Sequence, residues 1–323
     1  MQLIEYNQIL TEIKKYNFIV IDAAITKHYP TLSEQLVDKS VYIVENAEQN
    51  KDLNCFEAIT SYFITEGITR QDGILAVGGG ATSDIAGFVA ASILRGVMWS
   101  VVPTTLLSMI DASIGGKVGL NTIQGKNLIG AFHRPKDILI CDSFLNTLPD
   151  IEFDAGKGEL LKYVFLSEDI QNELVENGFS KKLISLCADF KLEITAEDYK
   201  ELGNRKILNL GHTFGHAFEK ALDYPHGIAV YHGLKMIISI FRPELVDLFN
   251  RVEVKLDFTK IPFEKCDFTE FSKYLKHDKK RLLGDEIELI IPSNKFKPDI
   301  ITLNMDELLT KIKSHDSYKN YFR

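Results

Sequence analysis

Residues 73–84 read Gly-Ile-Leu-Ala-Val-Gly-Gly-Gly-Ala-Thr-Ser-Asp. Ile74 to Val77 form a continuous apolar run of strand length, and Gly78, Gly79 and Gly80 follow at once. Ser83 and Asp84 then fall in the first turn of the helix that the next residues predict. Backbone without Cβ atoms can approach a ligand closely, and a helix N-terminus offers free N–H groups and a positive dipole end to a pyrophosphate. The stretch is therefore a candidate dinucleotide-binding turn. It lacks the full G-x-G-x-x-G spacing, and a tight strand-to-helix turn would need similar glycines, so both readings stand here.

Outward from this turn the first half keeps one rhythm. Asn17 to Ile21, Val41 to Val44, Trp99 to Val102 and Asp137 to Ile140 are further strand-length runs, while Phe56 to Phe63 and Asp84 to Leu94 carry helical spacing. Strands alternating with helices imply βαβ units around a buried, largely parallel sheet. After Pro149 the pattern changes to long amphipathic stretches: 152–166, 170–177, 183–200, 202–222 and 228–241. Val252 to Leu256 and Glu286 to Ile291 read as short strands of an accessory hairpin. The expected fold is an α/β N-terminal domain with a Rossmann-like parallel sheet, residues 1–146, followed by a mainly α-helical domain, residues 147–323.

The 323-residue chain carries 37 Lys and Arg against 45 Asp and Glu, a net charge of -8, with 45% hydrophobic residues. That balance fits an ordinary globular chain and argues against a nucleic-acid partner, which needs a basic surface. No apolar run approaches bilayer length, and Met1 to Lys14 are mixed and acidic rather than signal-like, so the expectation is a cytoplasmic protein without a membrane partner. Cys55, Cys141, Cys187 and Cys266 are scattered, with no C-x-x-C pair, and read as reduced packing residues.

Other residues suggest chemistry. Pro103-Thr104-Thr105 ends a strand and Asp111 lies on the next helical turn. Gly115-Gly116-Lys117 and Gly125-Lys126-Asn127 read as two glycine-lysine loops, suited to placing a point charge against a phosphate. In the helical half His212 and His216 stand four apart and share a helix face, and His226 opens the next helix. Spacing alone points to His212 and His216 as joint metal ligands, with Glu159 and Lys162 adding a carboxylate and a cation from an earlier helix. Lys191, Arg205 and Asn209 form a further polar series. Isolated histidines such as His232 take the core or surface reading.

Taken together, Gly78 to Ala90, Ile93 to Gly96, Pro103 to Leu120, Gly125 to Ala131, Gly158 to Tyr163 and Leu208 to Glu219 closely resemble 3-dehydroquinate synthase, in the same order and near the same spacing. The resemblance implies a dehydroquinate synthase-like, two-domain fold with the active site in the cleft between the domains. It implies Glu159, His212 and His226 as ligands of zinc, or of a cobalt-like ion, which moves His216 to the substrate side. Asp22, Glu48, Lys51, Gly79, Gly80, Asp84, Thr104, Thr105, Asp111 and Lys126 match positions around NAD. His216, Lys162, Lys191, Arg205 and Asn209 match catalytic positions, and Arg95, Lys117, Asn127 and Lys279 match substrate-binding ones. A homodimer with Arg95 near the partner's site is implied as well.

The implied substrate is 3-deoxy-D-arabino-heptulosonate 7-phosphate, a small anionic sugar phosphate whose carboxylate and phosphate call for Arg and Lys. The implied reaction is transient oxidation by NAD, phosphate elimination, re-reduction, ring opening and an internal aldol closure to 3-dehydroquinate. His216 is then the candidate proton carrier. Another NAD- and zinc-using sugar phosphate cyclase, a glycerol-dehydrogenase-like oxidoreductase and a non-catalytic homologue are the alternatives. Ile228 departs from the family pattern, which has Glu after His-Gly, and Lys157 is an unusual neighbour for Glu159.

Overall fold

The computed structural model describes residues 1–259, 263–279 and 285–323, without the side chains of 277–279. These divide into two compact units. One comprises Met1–Pro149 with Lys191–Lys200, the other Asp150–Phe190 with Glu201–Arg323.

The first unit is built on a four-stranded parallel sheet of β1 (Phe18–Asp22), β2 (Ser40–Val44), β3 (Gly73–Gly78) and β4 (Met98–Pro103). The spatial order is β2-β1-β3-β4, with Phe18 opposite both Ser40 and Ile74 and Gly78 opposite Pro103. Ile19, Val20, Ile74, Leu75, Ala76 and Val101 are buried, as a parallel sheet covered on both faces requires. The chain runs outward to β2 and then back past β1 to β3, so the strand order reverses between β1 and β3. Open α/β sheets bind ligands beyond the carboxyl ends of the strands at such a switch point.

Helices α1 (Leu53–Thr65) and α2 (Gly80–Ser92) lie in the crossovers on either side of β3. Asp52 caps α1 by accepting a hydrogen bond from the Cys55 N–H at 2.9 Å. The expected strand at Asp137 to Ile140 is reduced to a single parallel bridge from Ile138 to Val101 and a two-residue pairing of Leu139–Ile140 with Gln2–Leu3. The two glycine-lysine loops are instead the starts of paired strands, β5 (Lys117–Thr122) and β6 (Gly125–Phe132), which form an antiparallel hairpin.

The second unit is helical: α3 (Asp150–Val164), α4 (Glu168–Asn177), the first part of α5 (Lys181–Glu197), α6 (His212–Leu222), α7 (His226–Phe241), α8 (Val246–Leu256) and α9 (Phe268–Lys279). A hairpin of β7 (Glu286–Ile291) and β8 (Asp299–Asn304), then α10 (Met305–Ser314), complete it. Phe214, Phe218, Met236, Phe271, Leu289, Leu308 and Phe322 share one core.

Two expectations are corrected here. Val252 to Leu256 is not a strand but the end of α8, because Phe249, Val252 and Leu256 recur at helical spacing and are all buried. The stretch 202–222 is not one helix. A short 3-10 segment, Asn204–Asn209, gives way at Gly211, whose φ of +83° breaks the run before His212.

Candidate active site

In the first unit the residues expected around a dinucleotide gather at the switch point. Asp22 ends β1 and caps the following turn through the Ala24 N–H at 2.9 Å, while Thr82 Oγ1, from the first turn of α2, donates to Asp22 Oδ2 at 3.3 Å. Gly79 is the N-cap of α2, and a Cβ there would lie in tight contact, 3.0 Å from Thr105 Cγ2. A Cβ on Gly80 would lie 3.1 Å from the Cβ of Ala112. Packing by itself therefore favours both glycines, and α2 starts without a side-chain cap. Thr104 carries the chain out of β4, and Thr105 Oγ1 accepts from the Ser108 N–H at 3.1 Å, starting the turn that bears Asp111.

A polar cluster surrounds this turn. Lys51 is buried, and its ammonium donates to Asp84 Oδ2 and Asn127 Oδ1, each at 2.7 Å. Burial raises the Asp84 carboxyl above its ordinary range and the Lys51 charge opposes the rise. Glu48 Oε1 accepts from Asn121 Nδ2 at 3.2 Å, with the exposed Lys126 ammonium 3.9 Å away. Asn127, a φ of +56° at its backbone, thus shares the Lys51 ammonium with Asp84. Lys191 reaches Asp111 twice, at 2.6 Å to the carbonyl and 2.8 Å to the carboxylate. Lys117 begins β5 and is exposed. Arg95 is exposed too, in the second of three successive positive-φ residues, Leu94, Arg95 and Gly96.

In the second unit α3, α6 and α7 place the histidines and Glu159. Main chain packs on main chain where α3 meets α7: a Cβ on Gly158 would lie 1.9 Å from the Gly227 carbonyl oxygen, and one on Gly227 1.8 Å from that of Ala155. Glu159 and His226 are the next-door residues of these glycines, so the close approach brings their side chains together. Glu159 Oε1 lies 3.1 Å from His212 Nε2 and 3.1 Å from His226 Nε2, and Oε2 lies 2.6 Å from Lys162 Nζ. Glu159 is fully buried, yet neither of its oxygens accepts a hydrogen bond of good geometry. Buried carboxylate oxygens left in that state are costly. Donor atoms of Glu159, His212 and His226 all lie within 4.8 Å of one another, and a His2Glu set is a usual one for zinc. The residues present therefore fit a divalent cation.

Electrostatics agree. Burial would raise Glu159, but Lys162 and then His212 hold it well below the carboxylate range. Burial lowers His212. Burial would also lower His226, but the carboxylates of Glu159 and Glu219 override it and raise the ring to about 10.

His212 and His216, paired by spacing alone, do not share a donor set. Their rings stand 5.5 Å apart at 89°, and His216 groups instead with Glu219 and His226. Arg205 is buried, and Asn209 Nδ2 donates to Glu201 Oε1 at 3.0 Å. Lys279 closes α9, and its side chain lies outside the described residues. Glu219 is the residue that sequence reasoning missed. Its spacing of seven from His212 and three from His216 puts it on their helix face, which was the available signal. Ile228 is buried, and Lys157 points away from Glu159 to Asp154 at 2.9 Å.

An open parallel sheet with a glycine turn at its switch point, followed by a helical unit that gathers Glu159, His212 and His226, is a fold shared with solved structures. A structure of 2-deoxy-scyllo-inosose synthase complexed with carbaglucose-6-phosphate, NAD+ and Co2+ superposes with a TM-score of 0.79 at 24% identity, over 96% of this chain and 94% of that one. The chain belongs to the 3-dehydroquinate synthase family: the family's N-terminal model matches residues 41–155 and its C-terminal model residues 156–281. The 3-dehydroquinate synthase of Pyrococcus furiosus is 40% identical over 80% of this chain and 79% of its own. That of Staphylococcus epidermidis (strain RP62A) is 34% identical over 94% and 91%.

Proposed function

We propose that the chain converts 3-deoxy-D-arabino-heptulosonate 7-phosphate to 3-dehydroquinate and phosphate, as a carbon-oxygen lyase that depends on NAD and a divalent metal. The observation that carries this reading is the buried Glu159 carboxylate, facing His212, His226 and Lys162 with no hydrogen bond of its own. Glu159, His212 and His226 are taken as the metal ligands, and Asp22, Glu48, Lys51, Gly79, Gly80, Asp84, Thr104, Thr105, Asp111 and Lys126 as the NAD-side residues. When bound, NAD would supply a reversible hydride acceptor and zinc or cobalt a Lewis acid for substrate hydroxyls.

The chain's own groups supply the rest. Lys162, its ammonium fixed by Glu159 at 2.6 Å, offers a held positive charge to developing negative charge on substrate. Lys191, anchored by Asp111, and Arg205 and Asn209 are assigned the same task of binding and orienting. His216, half-buried beside His212 and His226, is assigned as the proton carrier. Arg95, Lys117, Asn127 and Lys279 are assigned to the substrate's anionic groups. We further take residues 1–146 as the NAD-binding domain and 147–323 as the metal and substrate domain. A homodimer in the cytoplasm completes the reading, Arg95 serving the partner's site from its strained, exposed turn.

Incubating the protein with the heptulosonate phosphate, NAD and zinc tests the assignment. Phosphate and dehydroquinate should form without net NADH. Steady accumulation of NADH would replace the reading by a dehydrogenase, and absence of both products would leave a non-catalytic homologue. His226→Ala should lose bound metal and turnover together; full turnover in metal-free variant protein would overturn the ligand assignment.

A further inference from the structure

We propose that Glu219 is the positioning residue of the metal-ligand set, holding the Nδ1–H of His226 so that the Nε2 lone pair faces Glu159. The proposal rests on the metal reading above, and it follows from the two edges of one ring. His226 Nδ1 lies 2.9 Å from Glu219 Oε2, and His226 Nε2 lies 3.1 Å from Glu159 Oε1. A metal ligand must be neutral, and a neutral imidazole has one N–H to give. Glu159 accepts no hydrogen bond, whereas Glu219 is in good hydrogen-bond geometry, so the proton belongs on Nδ1.

His212 gives the comparison. Its Nδ1 lies 3.2 Å from the carbonyl oxygen of Leu210, which can only accept, so this ring also keeps its proton on Nδ1 and turns Nε2 toward the same carboxylate oxygen. The two rings are thus set alike by unlike partners, a neutral carbonyl and a charged carboxylate. Hydrogen bonds to a charged acceptor are the stronger kind and make the imidazole a better ligand. The Glu219 side chain is 14% exposed and that of His226 34%, so solvent reaches the contact mainly from the ring side. Its place on α6 puts it under His226 only because the chain reverses between Leu222 and His226, where Asp223 takes a φ of +51°.

The test uses the whole chain with zinc alone, and no turnover. Zinc affinity is measured by chelator competition for the parent, Glu219→Ala and Glu219→Gln, and the downfield imidazole N–H resonances are recorded for each. Glu219→Ala should weaken zinc binding about 10–100-fold, the usual cost of losing an outer partner of a ligating histidine. It should also lose the exchange-protected His226 Nδ1–H signal. Glu219→Gln, whose amide oxygen still accepts, should keep that signal and lose less affinity. Parent-like zinc affinity in Glu219→Ala, or an unchanged His226 Nδ1–H signal in it, overturns the proposal. A parent that binds no zinc defeats the metal reading instead, and the N–H signal then still decides the role of Glu219.

Discussion

His232 shows how one side chain writes a pH response into the fold. It is buried on α7 among Phe218, Tyr224, Tyr231 and Phe263, with Nε2 unpartnered among the described residues. Burial, helped by the Lys235 charge, pushes it from an ordinary 6.5 down to about 3. Below pH 6.5 the unfolded chain takes a proton that the folded one refuses, so stability falls as pH drops from about 6.5 towards 3. His232→Phe should flatten the denaturation midpoint against pH within that window and leave it unchanged above pH 7; an unaltered slope would refute the assignment. Lys157 behaves oppositely, being a buried charge that is paired. It donates to Asp154 at 2.9 Å and to the Asp257 carbonyl at 2.7 Å. Lys157→Met should cost about 3–5 kcal/mol in urea unfolding by stranding Asp154, and Lys157→Met with Asp154→Leu should recover most of it.

At the scale of elements the contact of α3 with α7 governs the site. Because a Cβ on Gly158 would lie 1.9 Å from the Gly227 carbonyl, no rotamer change relieves it and one helix must move. Gly158→Ala should therefore destabilise by more than the ~1–3 kcal/mol usual for overpacking and should also weaken zinc binding, because Glu159 moves with it. Thermal unfolding and chelator competition on the same sample separate the two effects. Elements were legible from sequence where burial is nearly continuous, as in the strands at 18–22, 73–78 and 98–103, and at the edge strand 40–44, where only Val44 is buried, from its β-branched run alone. They were misread where a pattern has two periods. Val252 to Leu256 alternates like a strand, and only the buried Phe249 three residues earlier reveals the helix. Glycines beside Lys117 and Lys126 suggested loops, yet Gly119 sits in mid-hairpin, where a Cβ would lie 2.6 Å from the Ile129 carbonyl. Of the candidate site, spacing singled out His212 and Glu159 but paired His212 with His216, and only the family's motif put His226 in that place. Glu219 shares a helix face with His212 and His216, but its contact with His226 depends on a chain reversal that this spacing does not encode.

For the whole molecule, the net charge of -8 coexists with buried Lys51, Lys162, Lys191 and Arg205, each an inward cation that a bulk count conceals. No helix among the described residues is long and apolar enough to cross a membrane. Since helix packing rather than the cation sets the positions of Glu159, His212 and His226, stripping the metal should leave the far-ultraviolet circular dichroism intact. Zinc at a hundred times its Kd should then stabilise the folded chain by about 2.7 kcal/mol. Collapse of the helical signal on chelation would show that the metal builds the site instead of filling it.

The bare-backbone joint of Gly158 and Gly227 also bears on how such a chain can change over time. Any larger residue at either position meets a carbonyl, of Gly227 in one case and of Ala155 in the other, so neither has a neutral neighbour in sequence space. A contact between side chains can be adjusted by exchanging one of them. The spacing between Glu159 and His226 cannot be tuned that way, and lineages that alter the catalytic repertoire of this scaffold are expected to do so around the joint, leaving its two glycines fixed.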